Sequence, residues 1–332
     1  MSQTIDIYAV GSAIVDTEVR VTTEFLAKNA IEKGVMTLVD EERQHTLMDA
    51  IVKHHSHIDR ACGGSACNSA VAAAEFGAVV AFSGRVGDDA DGALFASDLK
   101  AAGVQFHDKR ASGDITGKCL VMVTPDADRT MNTFLGTSVV HSLEEVDFDA
   151  LAQAKWLYLE GYLLTDQPRT DMVLALVKFA RDNDVKIALS LSDPFVVAVF
   201  EAAIRQVLEG GIDLLFCNAD EAKAFTQDND LERAAQAMLN FSAVVAITDG
   251  ARGALVAQAS QVTHVAGFPA NAVDTNGAGD MFAGAFLAAY VAGADTAAAA
   301  SFGNRCAAKV VAKYGPRLSK AALQTLAAYK PN

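Results

Sequence analysis

The chain has 332 residues, 51% of them hydrophobic and 20% charged, with a formal net charge of -14. That length and balance suit one large globular α/β domain with a buried core rather than a disordered chain. The acidic excess speaks against a nucleic-acid partner, which demands clustered Lys and Arg, and no window supplies the roughly 20 unbroken apolar residues of a membrane helix.

The opening residues MSQTIDIYAVGSAIVD lack a basic segment and a long apolar run, so no signal peptide is expected and a cytoplasmic protein is. Five cysteines, at 62, 67, 119, 217 and 306, follow no disulfide or zinc spacing and read as small buried hydrophobes. The cluster His54-His55-Ser56-His57 reads either as a metal site or as the polar end of an amphipathic helix.

In chain order, short β-rich runs at 5–10, 79–83, 156–159, 186–191, 213–216 and 243–248 alternate with helical segments. The helices are expected at 65–76, 91–102, 168–181 and 194–208, and then in three pieces at 278–292, 295–313 and 319–329. This alternation predicts an open sheet between helical layers. Residues 14–40 and 113–138 break the rhythm with polar–apolar alternation, which predicts a small separate sheet covering a cleft, a lid within a single 1–332 domain.

The chemistry concentrates in Asp274-Thr275-Asn276-Gly277-Ala278-Gly279-Asp280, which leads into an apolar helix. Small residues let the chain turn tightly and present successive N–H groups, and the helix dipole adds positive potential, so the turn suits an anion. Asp280 in the first helical turn is placed to accept a proton from an attacking hydroxyl. The bland alternative is a helix cap. The run lacks the Gly-Lys-Ser/Thr ending of a Walker A loop, and Gly11-Ser-Ala-Ile-Val-Asp16 lacks the three glycines of a dinucleotide fingerprint.

This run resembles the C-terminal signature of the ribokinase/PfkB carbohydrate and nucleoside kinase family. A second resemblance lies in Gly63-Gly64-Ser-Ala-Cys-Asn68-Ser-Ala-Val-Ala-Ala-Ala-Glu-Phe-Gly77 with Gly84-Arg-Val-Gly-Asp88, similar to the family's N-terminal signature. The segments Leu189-Ser-Leu-Ser-Asp-Pro-Phe195 and Asp213-Leu-Leu-Phe-Cys-Asn218-Ala-Asp-Glu221, together with Asn276, resemble the adenosine-kinase-like subgroup. The resemblance implies a ribokinase-like three-layer α/β/α core with a small β-sheet lid, ATP and Mg2+ as cofactors, and phosphoryl transfer to an alcohol.

Carried over by position, the resemblance makes Asp280 the base, the amides of Gly277, Ala278 and Gly279 the anion hole, and Arg129 the clamp on the moving phosphate. Asp16, Gly63, Gly64 and Asn68 would hold the acceptor's vicinal hydroxyls, an arrangement that Asp and Asn chemistry suits. Phe134, Tyr162 and Phe195 would flank a base, and Met36 stands where a polar lid residue such as Gln is expected. Asn218 and Glu221 would organise magnesium and phosphate through water. Thr248, Gly250 and Gly253 would lie along the ATP phosphates, with Asn276 and Asn304 also on the nucleotide side. Each has a plain structural alternative: a strand-end Asp16, a helix-surface Asn68, a helix start at Asn218, a hairpin turn at 248–253, a solvated Arg129. The expected activity is a nucleoside kinase, adenosine first, against a ribose- or fructose-type sugar kinase or a non-catalytic nucleoside-binding protein. The expected assembly is a monomer or a homodimer joined through the lid.

Overall fold

The computed structural model describes residues 4–54, 59–107, 110–126 and 128–327. Its main sheet has nine strands. From one edge they run Gln261–Ala266, Gly253–Gln258, Ser242–Thr248, Ile212–Asn218, Lys186–Ser190, Trp156–Glu160, Ile7–Val10, Val80–Ser83 and Gln105–Phe106. The strands from Ser242–Thr248 onward pair in parallel, and the two at the first edge are antiparallel.

Ile7–Val10, Val80–Ser83 and Trp156–Glu160 are buried along their whole length, as strands covered on both faces must be. Helices Ser65–Glu75, Ala278–Val291 and Thr296–Val310 pack one face, and Gln167–Asp182 and Glu201–Glu209 belong to the core on the other. The six expected main-sheet strands and the three expected C-terminal helices are all present, with ends shifted by a few residues.

The helix expected over 194–208 is two, Pro194–Val199 and Glu201–Glu209, broken at Phe200 with φ -113 and ψ 25. Val196, Val197 and Val199 crowd the first piece, and β-branched side chains weaken helices. The antiparallel edge hairpin was not expected. Its turn uses Ala259 (φ 48) and Ser260 (φ 66), where a two-residue turn ordinarily carries Asn or Gly, so the usual signal is missing.

The second sheet has five strands in the order Met36–Leu38, Arg129–Phe134, Gly117–Val123, Ile14–Arg20, Asp59–Gly63. Four fall inside the expected segments; Asp59–Gly63 does not, and its Asp-Arg-Ala-Cys-Gly composition carries no β-branched residue to mark it. One face, with Ile14, Asp16, Cys119, Val121, Arg129, Met131 and Thr133, looks into the cleft. On the other, Val19, Leu120 and Met122 pack against Leu47 and Ile51 of the helix Glu41–His54. His54 ends that helix; His55 and His57 lie outside the described residues. All five cysteines are buried and free. Among the described residues no helix is long and apolar enough to cross a membrane.

Candidate active site

A cleft of about 950 Å³ opens where the carboxyl ends of the main-sheet strands meet the second sheet. Open α/β sheets bind ligands in this position. At its centre the helix Ala278–Val291 begins after Gly277, whose φ of 71 is left-handed and whose absent Cβ would lie 2.4 Å from Pro316 Cβ. Only glycine fits there. No side chain caps this helix start, where the dipole is positive; within the turn Ala278 N donates to Thr275 O at 3.3 Å.

Asp280 sits in that first turn. Ser65 Oγ donates to its Oδ1 at 2.7 Å and Asn68 Nδ2 donates to its Oδ2 at 3.1 Å. Burial nevertheless raises its pKa above the ordinary carboxylate value, with the two hydrogen bonds and Arg129 opposing the shift. A carboxylate held in place yet destabilised as an anion is suited to taking a proton. Arg129 reaches across from the second sheet, donating through Nη1 to Thr275 O at 3.3 Å and Asn276 Oδ1 at 3.2 Å. Asn276 N in turn donates to Asp274 Oδ1 at 2.8 Å.

Asp16, Gly64 and Asn68 line the cleft beside Asp280. Burial lifts the Asp16 carboxyl to about 7; Arg317 draws it down, and Asp280 and Glu18 push it further up. Asn68 Oδ1 is buried without a hydrogen-bond partner, and such an orphan costs about 1–3 kcal/mol unless a ligand group meets it. Gly63 lies behind this wall: a Cβ there would fall 2.2 Å from the Asp16 carboxylate, so the glycine makes room for it. Met36, Tyr162 and the 57% exposed Phe195 line the cleft with Leu38, Met131 and Leu135.

Phe134 does not line it. Strands alternate faces, and with Arg129, Met131 and Thr133 facing the cleft, Phe134 falls on the opposite side of the sheet.

Asn218 and Glu221 close a capping box on the helix Ala219–Thr226. Asn218 Oδ1 accepts from Glu221 N at 2.8 Å, while Glu221 takes Asn218 N on Oε2 at 3.0 Å and Asn218 Nδ2 on Oε1 at 2.6 Å. Burial raises Glu221 to about 7. With both oxygens engaged, this carboxylate fits a hydrated cation at one remove rather than a direct ligand. Among the described residues no group of three or more His, Cys, Asp or Glu is arranged to hold a metal. Thr248, Gly250 and Gly253 line the far end of the cleft, where Gly250 and Gly253 have φ of 55 and 100. Asn304 lies there too, its Nδ2 donating to Val265 O at 3.0 Å and Ala266 O at 3.2 Å, which ties the edge hairpin to the helix Thr296–Val310.

Three site residues escaped the sequence reading. Ser65 holds Asp280, and its place directly after two glycines was the available signal. Glu160, 1% exposed, accepts from Ser12 N and Ala66 N, both at 2.7 Å, and so ties together two segments of the cleft wall. A carboxylate closing a wholly apolar strand was its signal. Arg169, 2% exposed, lines the cleft through an ion pair with Asp166, and nothing in its spacing marks it.

Residues 27–322 match the model of the pfkB family carbohydrate kinases. Adenosine kinase of Saccharomyces cerevisiae is 30% identical, with 94% of this chain and 96% of that protein covered. Adenosine kinase from Sinorhizobium meliloti superposes with a TM-score of 0.90 at 32% identity, covering 98% of this chain and 99% of that one. A probable sugar kinase from Rhizobium etli CFN 42 gives a TM-score of 0.90 at 31% identity, covering 97% of each. The nine-stranded sheet and separate five-stranded sheet are thus the ribokinase-like fold, and the chain belongs to the pfkB family of ATP-using carbohydrate and nucleoside kinases, phosphotransferases with an alcohol as acceptor.

Proposed function

We propose that the chain is a nucleoside kinase that moves the γ-phosphoryl of Mg-ATP to the 5′-hydroxyl of a ribonucleoside, adenosine first. The observation that carries this is the juxtaposition in one cleft of Asp280, held by Ser65 and Asn68, with Asp16 and the unpartnered Asn68 Oδ1. A ribose fits these groups: its vicinal hydroxyls satisfy Asp16 and Asn68, and its 5′-hydroxyl meets Asp280. Asp280 takes the hydroxyl proton, the oxygen forms a bond to the γ-phosphorus, and the bond to the bridging oxygen of ADP breaks. The amides of Gly277, Ala278 and Gly279 stabilise the charge on the phosphoryl oxygens, and Arg129 clamps them from the second sheet. Mg2+, when bound, neutralises phosphate charge; Glu221 and Asn218 would hold its water shell. The second sheet acts as a lid that excludes water and limits ATP hydrolysis.

Adenosine kinases among the relatives at 30% identity and above support the nucleoside reading. The relative named a probable sugar kinase, at 31% identity, keeps a ribose- or fructose-type acceptor as the second reading. The test is ADP release with adenosine, inosine, guanosine, cytidine, ribose and fructose. Saturable turnover with a purine nucleoside is expected. Turnover with free ribose or fructose and none with nucleosides would replace the first reading by the second.

A further inference from the structure

After the helix Thr296–Val310 the chain turns tightly through residues 311–318, directly beneath the glycine turn that precedes Asp280. Lys313 lies at the centre of this loop. Its Nζ donates to Tyr314 O at 2.5 Å, Gly315 O at 3.2 Å and Arg317 O at 2.5 Å. These carbonyls come after the helix, so the ammonium does not cap it; the loop is wrapped around the charge. The space is tight. Gly315 has φ of 83, and a Cβ on it would lie 3.2 Å from Glu18 Oε2 and 3.7 Å from Lys313 Nζ.

The loop is fastened to the glycine turn at three places. Gly315 N donates to Asp274 Oδ2 at 3.0 Å, and the other oxygen of that 1% exposed carboxylate holds Asn276 N. Val273 N and Asp274 N donate to Val311 O at 2.7 and 3.2 Å. Pro316 packs where Gly277 would carry a side chain. On its other side the loop meets the second sheet, with the Arg20 guanidinium 3.7 Å from the Tyr314 ring centre.

We propose that Lys313 is a positioning residue for phosphoryl transfer, its ammonium holding together the loop that sets the 277–279 amides at the reacting phosphate. This rests on the reading of those amides as the anion hole. Converging carbonyl dipoles repel one another unless a cation sits between them. A lysine tethered two residues away supplies that cation at high effective concentration, so no cation from solution is needed. Without it the carbonyls splay, and Gly315, Pro316, Asp274 and Asn276 shift together. A misplacement of about 1 Å costs about 10²-fold in rate.

The test compares wild type, Lys313→Ala and Lys313→Met in steady-state ADP release, with and without KCl, NH4Cl, n-butylammonium chloride or, as an ionic-strength control, choline chloride. Lys313→Ala should lose about 10² in kcat with nucleoside KM nearly unchanged. Ammonium or n-butylammonium should restore at least about tenfold of that loss and choline none, while wild type should respond to no added cation. Where Lys313→Ala does not fold, Lys313→Met keeps the stem without the charge and should show the same split between kcat and KM. Wild-type kcat in either variant, a loss that no cation restores in Lys313→Ala, or wild type itself activated by K+ would overturn the proposal. Asp280→Asn, assayed alongside, separates the two levels. If it lowers kcat by about 10² or more while Lys313→Ala keeps wild-type kcat, the catalytic reading survives and the role of Lys313 falls; if it turns over normally, the catalytic reading itself falls.

Discussion

Replacing Asp280 by Asn removes the proposed proton acceptor and leaves the shape of the side chain. Ser65 Oγ, 2.7 Å from Oδ1, can accept as well as donate, whereas Asn68 Nδ2, 3.1 Å from Oδ2, only donates. The new amide therefore turns its oxygen to Asn68 and its nitrogen to Ser65, and both contacts survive. What is lost is the base, worth about 10²–10⁴ in rate, or about 2.7–5.4 kcal/mol of barrier at 1.36 kcal/mol per tenfold. Steady-state ADP release should show that fall in kcat, while nucleoside affinity by calorimetry stays close to wild type. Because burial raises the Asp280 pKa, the acidic limb of the wild-type rate profile should lie above the ordinary carboxylate range. Turnover within about threefold of wild type would refute the assignment, since a positioned base contributes far more.

Asp16→Asn should weaken nucleoside KM by about tenfold or more, because a charged hydrogen bond to a hydroxyl is lost. The same change should stabilise the ligand-free protein. A carboxyl lifted from 3.8 to about 7 costs no folding stability below the lower value, and the cost grows as pH rises from about 4 to about 7, above which it is complete. The variant's thermal midpoint should therefore exceed wild type above about pH 7 and match it in acid; a lower midpoint across the range would contradict the burial argument. Gly277→Ala forces a side chain onto Pro316 at a φ of 71, so both kcat and thermal midpoint should drop, by about 1 kcal/mol or more in stability. Unchanged values in both would show that the turn tolerates a Cβ. Glu221→Gln should raise the Mg2+ concentration needed for half-maximal rate without moving nucleoside KM; a Mg2+ titration identical to wild type would remove Glu221 from the phosphate site.

The main sheet was legible because parallel strands buried on both faces are unbroken apolar runs, and the glycine turn before Asp280 was legible because its backbone permits few other residues. The second sheet was only half legible. Its strands face the cleft on one side and the helix Glu41–His54 on the other, so alternation marks them without saying which residues face which way. The resemblance put Phe134 in the cleft, and the alternation could not correct it, since it does not say that Met131 and Thr133 take that face. Asp59–Gly63 pairs with Ile14–Arg20 through its backbone and shows nothing in its side chains. Asn218 and Glu221 came from the family resemblance, and the capping box they close is the helix start that stood as its plain alternative. Lys313 was invisible: its partners are backbone carbonyls, whose convergence depends on the fold of the loop.

The proposed acceptor pocket is assembled from two bodies. Asp16, Met36, Met131 and Arg129 belong to the five-stranded sheet, whereas Asn68 and Asp280 belong to helices packed on the main sheet. Affinity for the acceptor therefore includes the probability that the two bodies are together. If the assembled arrangement were one conformer in ten, apparent binding would weaken about tenfold with every contact intact. Leu47 and Ile51 stiffen the outer face of the smaller sheet without touching the cleft. Trimming these fully buried side chains would act on KM through that probability, from a layer that does not line the cleft.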